Sequence, residues 1–227
     1  TKKIISPLSR NVDILKTNPS VYQINTSFKQ QANIIKEHVL KNYKDRKLYI
    51  FYQERDRSYA LYMKQLFKKS DHLTSLQSIE YTHVDSMRNL VIADQCIVIP
   101  SYDNVFTSKM LSALGGIDSS FVVFGLNNWK NFDNLDINNL MQLNTHIADP
   151  FYFDQNSNTT SRFIFLFENK YKSATDRFSF LGYQLLFHFV SAIDIYQFRR
   201  YTIRGGFVNI QAPIVRFSEY SLTKVNE

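Results

Sequence analysis

Tyr52-Gln53-Glu54-Arg55, Ser101-Tyr102-Asp103-Asn104 and Asn127-Asn128-Trp129 gather the side chains of this sequence best suited to hold a small polar solute. Each follows an apolar run, and in open parallel α/β sheets the crevice beyond the strand ends is where ligands sit. Tyr and Trp rings can stack on or cover a solute, and the Arg55 guanidinium can fork to a carboxylate. The amides of residues 101–104, at a helix start, can hold an anion. Plainer roles compete for the same residues. Ser101 and Asp103 suit helix capping, Arg55 suits a surface ion pair, and Trp129 suits covering the edge of a lobe. The candidate ligand-binding set is Tyr52, Gln53, Arg55, Ser101, Tyr102, Asp103, Asn127 and Trp129.

Catalysis needs a nucleophile with a base and an orienting group, or a metal set. The five histidines, His38, His72, His83, His146 and His188, are far apart and form no short ligand motif. His38 and His188 fall within helical patterns, where packing explains them. His83 with Asp85 is the one close His/carboxylate pair, a spacing too common to carry chemistry alone. Gly115-Gly116 and Gly205-Gly206 lack a Walker lysine or a dinucleotide fingerprint. No enzyme, no metal and no cofactor are therefore expected. The single cysteine, Cys96, excludes an internal disulfide and lies in the apolar run Cys96-Ile97-Val98-Ile99, as a small core residue would.

A net charge of +7 and a pI near 9.3 invite a nucleic-acid reading, but the lysines are interleaved with acids, as in Lys36-Glu37 and Lys44-Asp45-Arg46-Lys47. No nucleic-acid-binding motif is present, so nucleic acid is not an expected partner. No apolar run reaches the roughly 18 residues that a membrane span requires. The chain begins Thr-Lys-Lys, and any targeting segment is expected upstream.

The elements that must position these residues follow from periodicity. Ser27-Phe28-Lys29-Gln30 has the form of a capping box, opening a helix with a stripe of Phe28, Ala32, Ile35 and Val39 that ends near Tyr43. Lys47-Leu48-Tyr49-Ile50-Phe51-Tyr52 reads as a buried strand. The helix after it should be capped by Asp56 and bury Tyr59, Met63, Leu66 and Phe67. The unit recurs: Cys96 to Ile99 as strand, Val105, Phe106, Met110, Ala113 and Leu114 as helix face, Gly115-Gly116 as stop. Phe121 to Gly125 is a third strand, with a short helix near Ile137 to Leu143. Weaker strands are expected at Val21 to Ile24, Ile79 to Thr82 and Thr145 to Ala148.

After Asp149-Pro150 two helices, Ser161 to Tyr171 and Phe178 to Phe198, follow without an intervening strand. Their apolar residues run nearly all round, as for helices packed deep against a sheet supplied mainly from outside this sequence. Ala212 to Phe217 and Ser221 to Val225 close the chain as two strands joined by a turn. The fold class is α/β, a parallel sheet flanked by helices on both faces.

In order and wording the sequence resembles the leucine-binding-like family of the type I periplasmic-binding-protein fold. The likeness is carried by Asn18-Pro19-Ser20-Val21-Tyr22-Gln23-Ile24-Asn25, Phe51 to Tyr59, Val98 to Asp103 with Val123 to Leu126, and Phe180-Leu181-Gly182-Tyr183-Gln184. It is most similar to the envelope subset in which LysM modules precede this fold, although no LysM module is visible. The resemblance implies a second half of that fold: residues 1–149 as second lobe, 150–205 as a helical return to an incomplete first lobe, 206–227 as a final crossing into the second. It implies a non-catalytic solute-binding module of the periplasm or cell envelope, with an amino acid as possible ligand. The alternative is a structural envelope protein whose degenerate cleft contacts peptidoglycan or protein partners. An effector domain of a transcription regulator shares the fold but needs a DNA-binding head. The resemblance implies that the ligand's ammonium is held by acids and aromatics of the second lobe. Here the corresponding loops carry Asn, Tyr and Arg, so no such carboxylate is assigned.

Overall fold

The computed structural model describes residues 2–68, 76–80, 95–117, 120–155, 157–191 and 193–225. The chain divides into two compact units, residues 28–149 with 213–227 and residues 1–27 with 150–212.

The larger unit, 28–149 with 213–227, is built on a seven-stranded sheet. Its strands are β3 (Leu48–Tyr52), β4 (Leu76–Glu80), β5 (Cys96–Val98), β6 (Val122–Gly125), β7 (His146–Ala148), β10 (Ile214–Ser218) and β11 (Ser221–Lys224). The spatial order is β11-β10-β7-β6-β5-β3-β4. From β4 to β7 every pairing is parallel, and β10 and β11 extend the sheet as an antiparallel hairpin. All five residues of β3, all three of β5 and all four of β6 are buried, as expected of strands covered on both faces. Cys96 sits inside this block, opposite Leu48 on one side and Val122 on the other, with no exposed surface.

Among the described residues four α-helices belong to this unit: α1 (Phe28–Asn42), α2 (Arg57–Lys68), α3 (Asn104–Gly115) and α4 (Ile137–Gln142). They pack as two neighbouring pairs, α1 with α2 and α3 with α4. The α1 stripe of Ala32, Ile35 and Val39 is buried as the spacing predicts. On α2 the buried face is Ala60, Met63 and Phe67, so Tyr59 and Leu66 lie at its margins. On α3 it is Phe106, Met110, Leu111 and Leu114, while Val105, one position off that stripe, is 54% exposed. Gly116 ends α3, donating its N–H to Ser112 and Leu114. The strand expected at Ile79 to Thr82 is met in part by β4; His72, Thr82, His83 and Asp85 lie outside the described residues.

The smaller unit holds a four-stranded sheet of β1 (Ile4–Ser6), β2 (Val21–Gln23), β8 (Phe198–Arg200) and β9 (Phe207–Asn209), in the order β1-β2-β9-β8. β1 and β9 flank β2 in parallel, and β8 is antiparallel to β9. This corrects the sequence reading in three respects. Residues 1–27 share a sheet with β8 and β9 rather than belonging with 28–149. Residues 206–212 also stay in this unit, so the last crossing falls at Pro213. The two apolar helices have a sheet within this chain, made of three-residue strands too short to show alternation.

Those helices are α5 (Asn158–Tyr171) and α6 (Arg177–Val190), capped by Ser157 and by a capping box from Asp176 and Ser179. α6 stops at Val190 rather than running to Phe198, because Phe198 opens β8. Phe153 and Phe163 pack on Phe180, and Phe163 stacks on Tyr183 at 4.2 Å, joining the pair. Phe189 ties α6 to the sheet through Tyr22 and Phe198. The helices are not buried all round, since Phe165, Leu166, Leu186 and Val190 are more than half exposed. Among the described residues no helix is long and apolar enough to cross a membrane.

Candidate functional site

Parallel strands β3, β5, β6 and β7 deliver their C-terminal ends to one edge of the sheet, and the chain segments leaving them carry the candidate residues. Tyr52 is the last residue of β3 and is buried. A tight 3-10 turn, Glu54–Asp56, then leads into α2. Asp56, expected only as a helix cap, is 5% exposed and is the hub of the site. Its Oδ2 accepts from Gln53 Nε2 at 2.9 Å and from Ser101 Oγ at 2.6 Å.

Ser101 is fully buried at the exit of β5 and uses all its polar atoms. Its hydroxyl donates to Asp56 and accepts the Asp103 N–H at 3.1 Å, and its carbonyl accepts the Trp129 indole N–H at 3.0 Å. Asp103 caps α3 by accepting the Phe106 N–H on Oδ1 at 2.5 Å, and its Oδ2 pairs with Arg55. Asp103 thus caps the helix and pairs with Arg55, whereas Ser101 holds the Asp103 N–H rather than capping the helix itself. Tyr102 is half-buried and meets Tyr59 edge-on at 5.7 Å.

At the exit of β6, Leu126 leads into a 3-10 turn, Asn127–Asn131. The Asn127 N–H donates to Gln31 Oε1 at 2.9 Å, a buried bond to α1. Trp129 is 1% exposed and lies over Gly125, where a Cβ would come within 2.3 Å of the ring. Glycine is required there by close approach. Next to it Lys130 Nζ donates to both oxygens of Asp149, at 2.7 and 2.6 Å, with Asp149 at the exit of β7.

The eight candidates therefore do share one rim, and seven of the eight are committed to protein partners there. Gln53, Asp56, Ser101, Asp103 and Arg55 form a continuous chain of bonds with Trp129 locked to it. Sequence reasoning missed Asp56 as hub, Gln31 as the partner of Asn127, and the Lys130–Asp149 pair. The signal for Asp56 was a carboxylate four residues past a strand end. Within the network the Ser101 hydroxyl donates to Asp56, while the Nδ1 atoms of His38, His146 and His188 bond elsewhere. Among the described residues no group of three His, Cys, Asp or Glu is placed to hold a metal.

No protein-family model and no curated protein matches this sequence. Solved structures do match its shape. A putative branched-chain amino acid ABC transporter protein from Rhodospirillum rubrum superposes with a TM-score of 0.70 at 12% identity, covering 98% of this chain and 72% of that one. The leucine complex of an ABC transporter substrate-binding protein from Desulfitobacterium hafniense gives 0.65 at 11%, covering 98% and 73%. Full-length LpoA from Haemophilus influenzae gives 0.57 at 10%, and this chain, 99% covered, spans 44% of its length. At such identities the likeness speaks for architecture alone, and that architecture is the type I periplasmic-binding-protein fold.

Proposed function

We propose that this chain is a non-catalytic module of the periplasm or cell envelope that works by contact with peptidoglycan or an envelope protein rather than by capturing an amino acid. The observation that carries it is the closed bond network at the rim. Arg55 is paired with Asp103, Asp56 Oδ2 accepts from both Ser101 and Gln53, and the Trp129 indole is buried with its N–H used. A zwitterionic ligand needs an available cation and an available anion. Freeing the Asp56 carboxylate for a ligand would leave the buried Ser101 hydroxyl unmatched. The shape shared with LpoA, whose C-domain in Haemophilus influenzae is a regulator of PBP1A, supports an envelope-protein partner.

Co-sedimentation with purified cell-wall sacculi over a range of salt tests this reading. The protein should pellet at low salt, and failure to pellet in any buffer removes peptidoglycan as the partner. A thermal-shift series with amino acids and small carboxylates should stay flat. A saturable rise in the midpoint would instead establish a solute receptor. That second reading has two observations in its favour: the Arg55 side chain is 57% exposed, so a ligand carboxylate could exchange with Asp103, and Asn128 Oδ1, in the same turn, is a buried acceptor without a hydrogen-bond partner.

A further inference from the structure

Charge and exposed apolar surface are distributed unevenly between the two units. Residues 1–27 with 150–212 contain eleven Lys or Arg against five Asp or Glu, a formal +6 of the chain's +7. Among the described residues, twelve of the fifteen large hydrophobic side chains left exposed also belong to this unit. Both tendencies meet at the turn between β8 and β9, Tyr201 to Gly206. Ile203 at its tip is 94% exposed, the highest value of any large hydrophobic among the described residues. Arg199, Arg200 and Arg204 surround it in sequence, and all three are exposed. The side chains of Arg199 and Arg204 have no ion-pair or hydrogen-bond partner among the described residues.

The turn is also fixed in place. Gly206 N–H donates to Leu15 O at 2.7 Å, Tyr201 N–H to Gly206 O at 2.8 Å, and Thr202 Oγ to Lys16 O at 3.3 Å. Tyr201 packs on the Leu15, Val21 and Val208 core. A Cβ on Gly205 would stand 2.3 Å from Leu15 O, and one on Gly206 2.6 Å from Val21 O, so only glycine lets the hairpin seat this closely. Arg200 donates to Gly205 O at 3.2 Å and lies over the Phe207 ring, which holds its charge beside the tip. Lys16 nearby is paired with Asp13, whose negative charge is thereby offset.

We propose that this hairpin is a peripheral docking point for an anionic lipid surface, with Ile203 entering the headgroup layer and Arg199, Arg200 and Arg204 meeting lipid phosphates. A rigid apolar tip ringed by guanidiniums matches an interface that is charged outside and apolar within. A purely polar polyanion would use the arginines but gain nothing from the isoleucine. The inference is independent of the rim network and of any wall contact.

The full chain should be tested by co-sedimentation with vesicles of pure phosphatidylcholine and of phosphatidylcholine mixed with phosphatidylglycerol. Binding is expected only to the anionic vesicles and should weaken with salt. R199Q and R204Q should each weaken it about five-fold, and Ile203→Ser about ten-fold. R199K should retain it. Since these side chains are exposed, the thermal midpoint of every variant should match the parent, which separates lost docking from lost folding. No binding of the parent protein to anionic vesicles overturns the proposal. So does binding that Ile203→Ser leaves intact, which would mark the hairpin as a site for polyanions instead.

Discussion

Ser101 shows how much one side chain can be asked to hold. Replacing it with alanine removes a donor from the buried Asp56 carboxylate and an acceptor from the Asp103 N–H at the start of α3. Ser101→Ala is expected to cost about 2 kcal/mol of stability, read by urea unfolding, because the Asp56 carboxylate stays buried without its donor and the partly buried Asp103 N–H loses its acceptor. His146 sets a pH limit. It is 1% exposed at the start of β7, and burial pushes its pKa down to about 4, opposed by the Asn144 carbonyl 2.6 Å from Nδ1 and reinforced by His38 and Arg216. Between pH 6.5 and 4 the unfolded chain binds a proton that the folded one refuses, so stability should fall with acidification across that window. The loss approaches about 3 kcal/mol. His146→Phe should flatten this part of the unfolding-midpoint profile, and an unchanged profile would assign the acid sensitivity to other groups. None of these partnerships was visible in the sequence, since Ser101 and Asp56 are 45 residues apart and only folding brings them together.

Elements were legible in proportion to their length and their burial. β3, β5 and β6 announce themselves as unbroken apolar runs, and α1 by its stripe, because each has one dominant environment. β1, β8 and β9 are three residues long, and their register comes from neighbours rather than from their own pattern. Phe198 therefore read as the end of a helix. The seam between β6 and its 3-10 turn depends on Gly125. Gly125→Ala is expected to push Trp129 off the sheet at a cost of about 2 kcal/mol or more. Trp129 is the only tryptophan, so a red-shifted emission would report the displacement directly. At the far end of α5, Lys172 closes the helix with φ of 54°, in the left-handed region. Lys172→Gly should stabilise by about 0.5–1 kcal/mol, since glycine adopts that geometry without steric cost. A lower midpoint would mean that the lysine side chain contributes contacts that outweigh it.

For the molecule as a whole, the fold class and the change of texture at Asp149-Pro150 could be read from the sequence, whereas the membership of residues 1–27 could not. Their pairing partner, β9, lies some 185 positions downstream, and such distant strand matching leaves no local trace. The topology carries its own test. The Asp149 N–H donates to Pro213 O at 3.0 Å, and Ala148 faces Ile214 in the antiparallel β7–β10 pair. Residues 150–212 thus depart from and return to adjacent positions. Replacing them with Asn-Gly in a chain starting at residue 28 should yield an ordinary hairpin and a cooperatively folding 28–149/213–227 unit. The fragment 28–149 alone, deprived of Val215 and Phe217, should aggregate or bind hydrophobic dyes. If the shortened chain behaves no better than the fragment, the larger unit depends on the smaller one for folding.

Cys96 turns the middle of the seven-stranded sheet into its own clock. With neighbours hydrogen-bonded on both sides and no exposed surface, its thiol can meet a reagent only when the layer covering that face of the sheet opens. As the sole sulfhydryl in the chain it labels once. The rate at which a disulfide-forming dye reacts under native conditions therefore measures how often the heart of that sheet is uncovered.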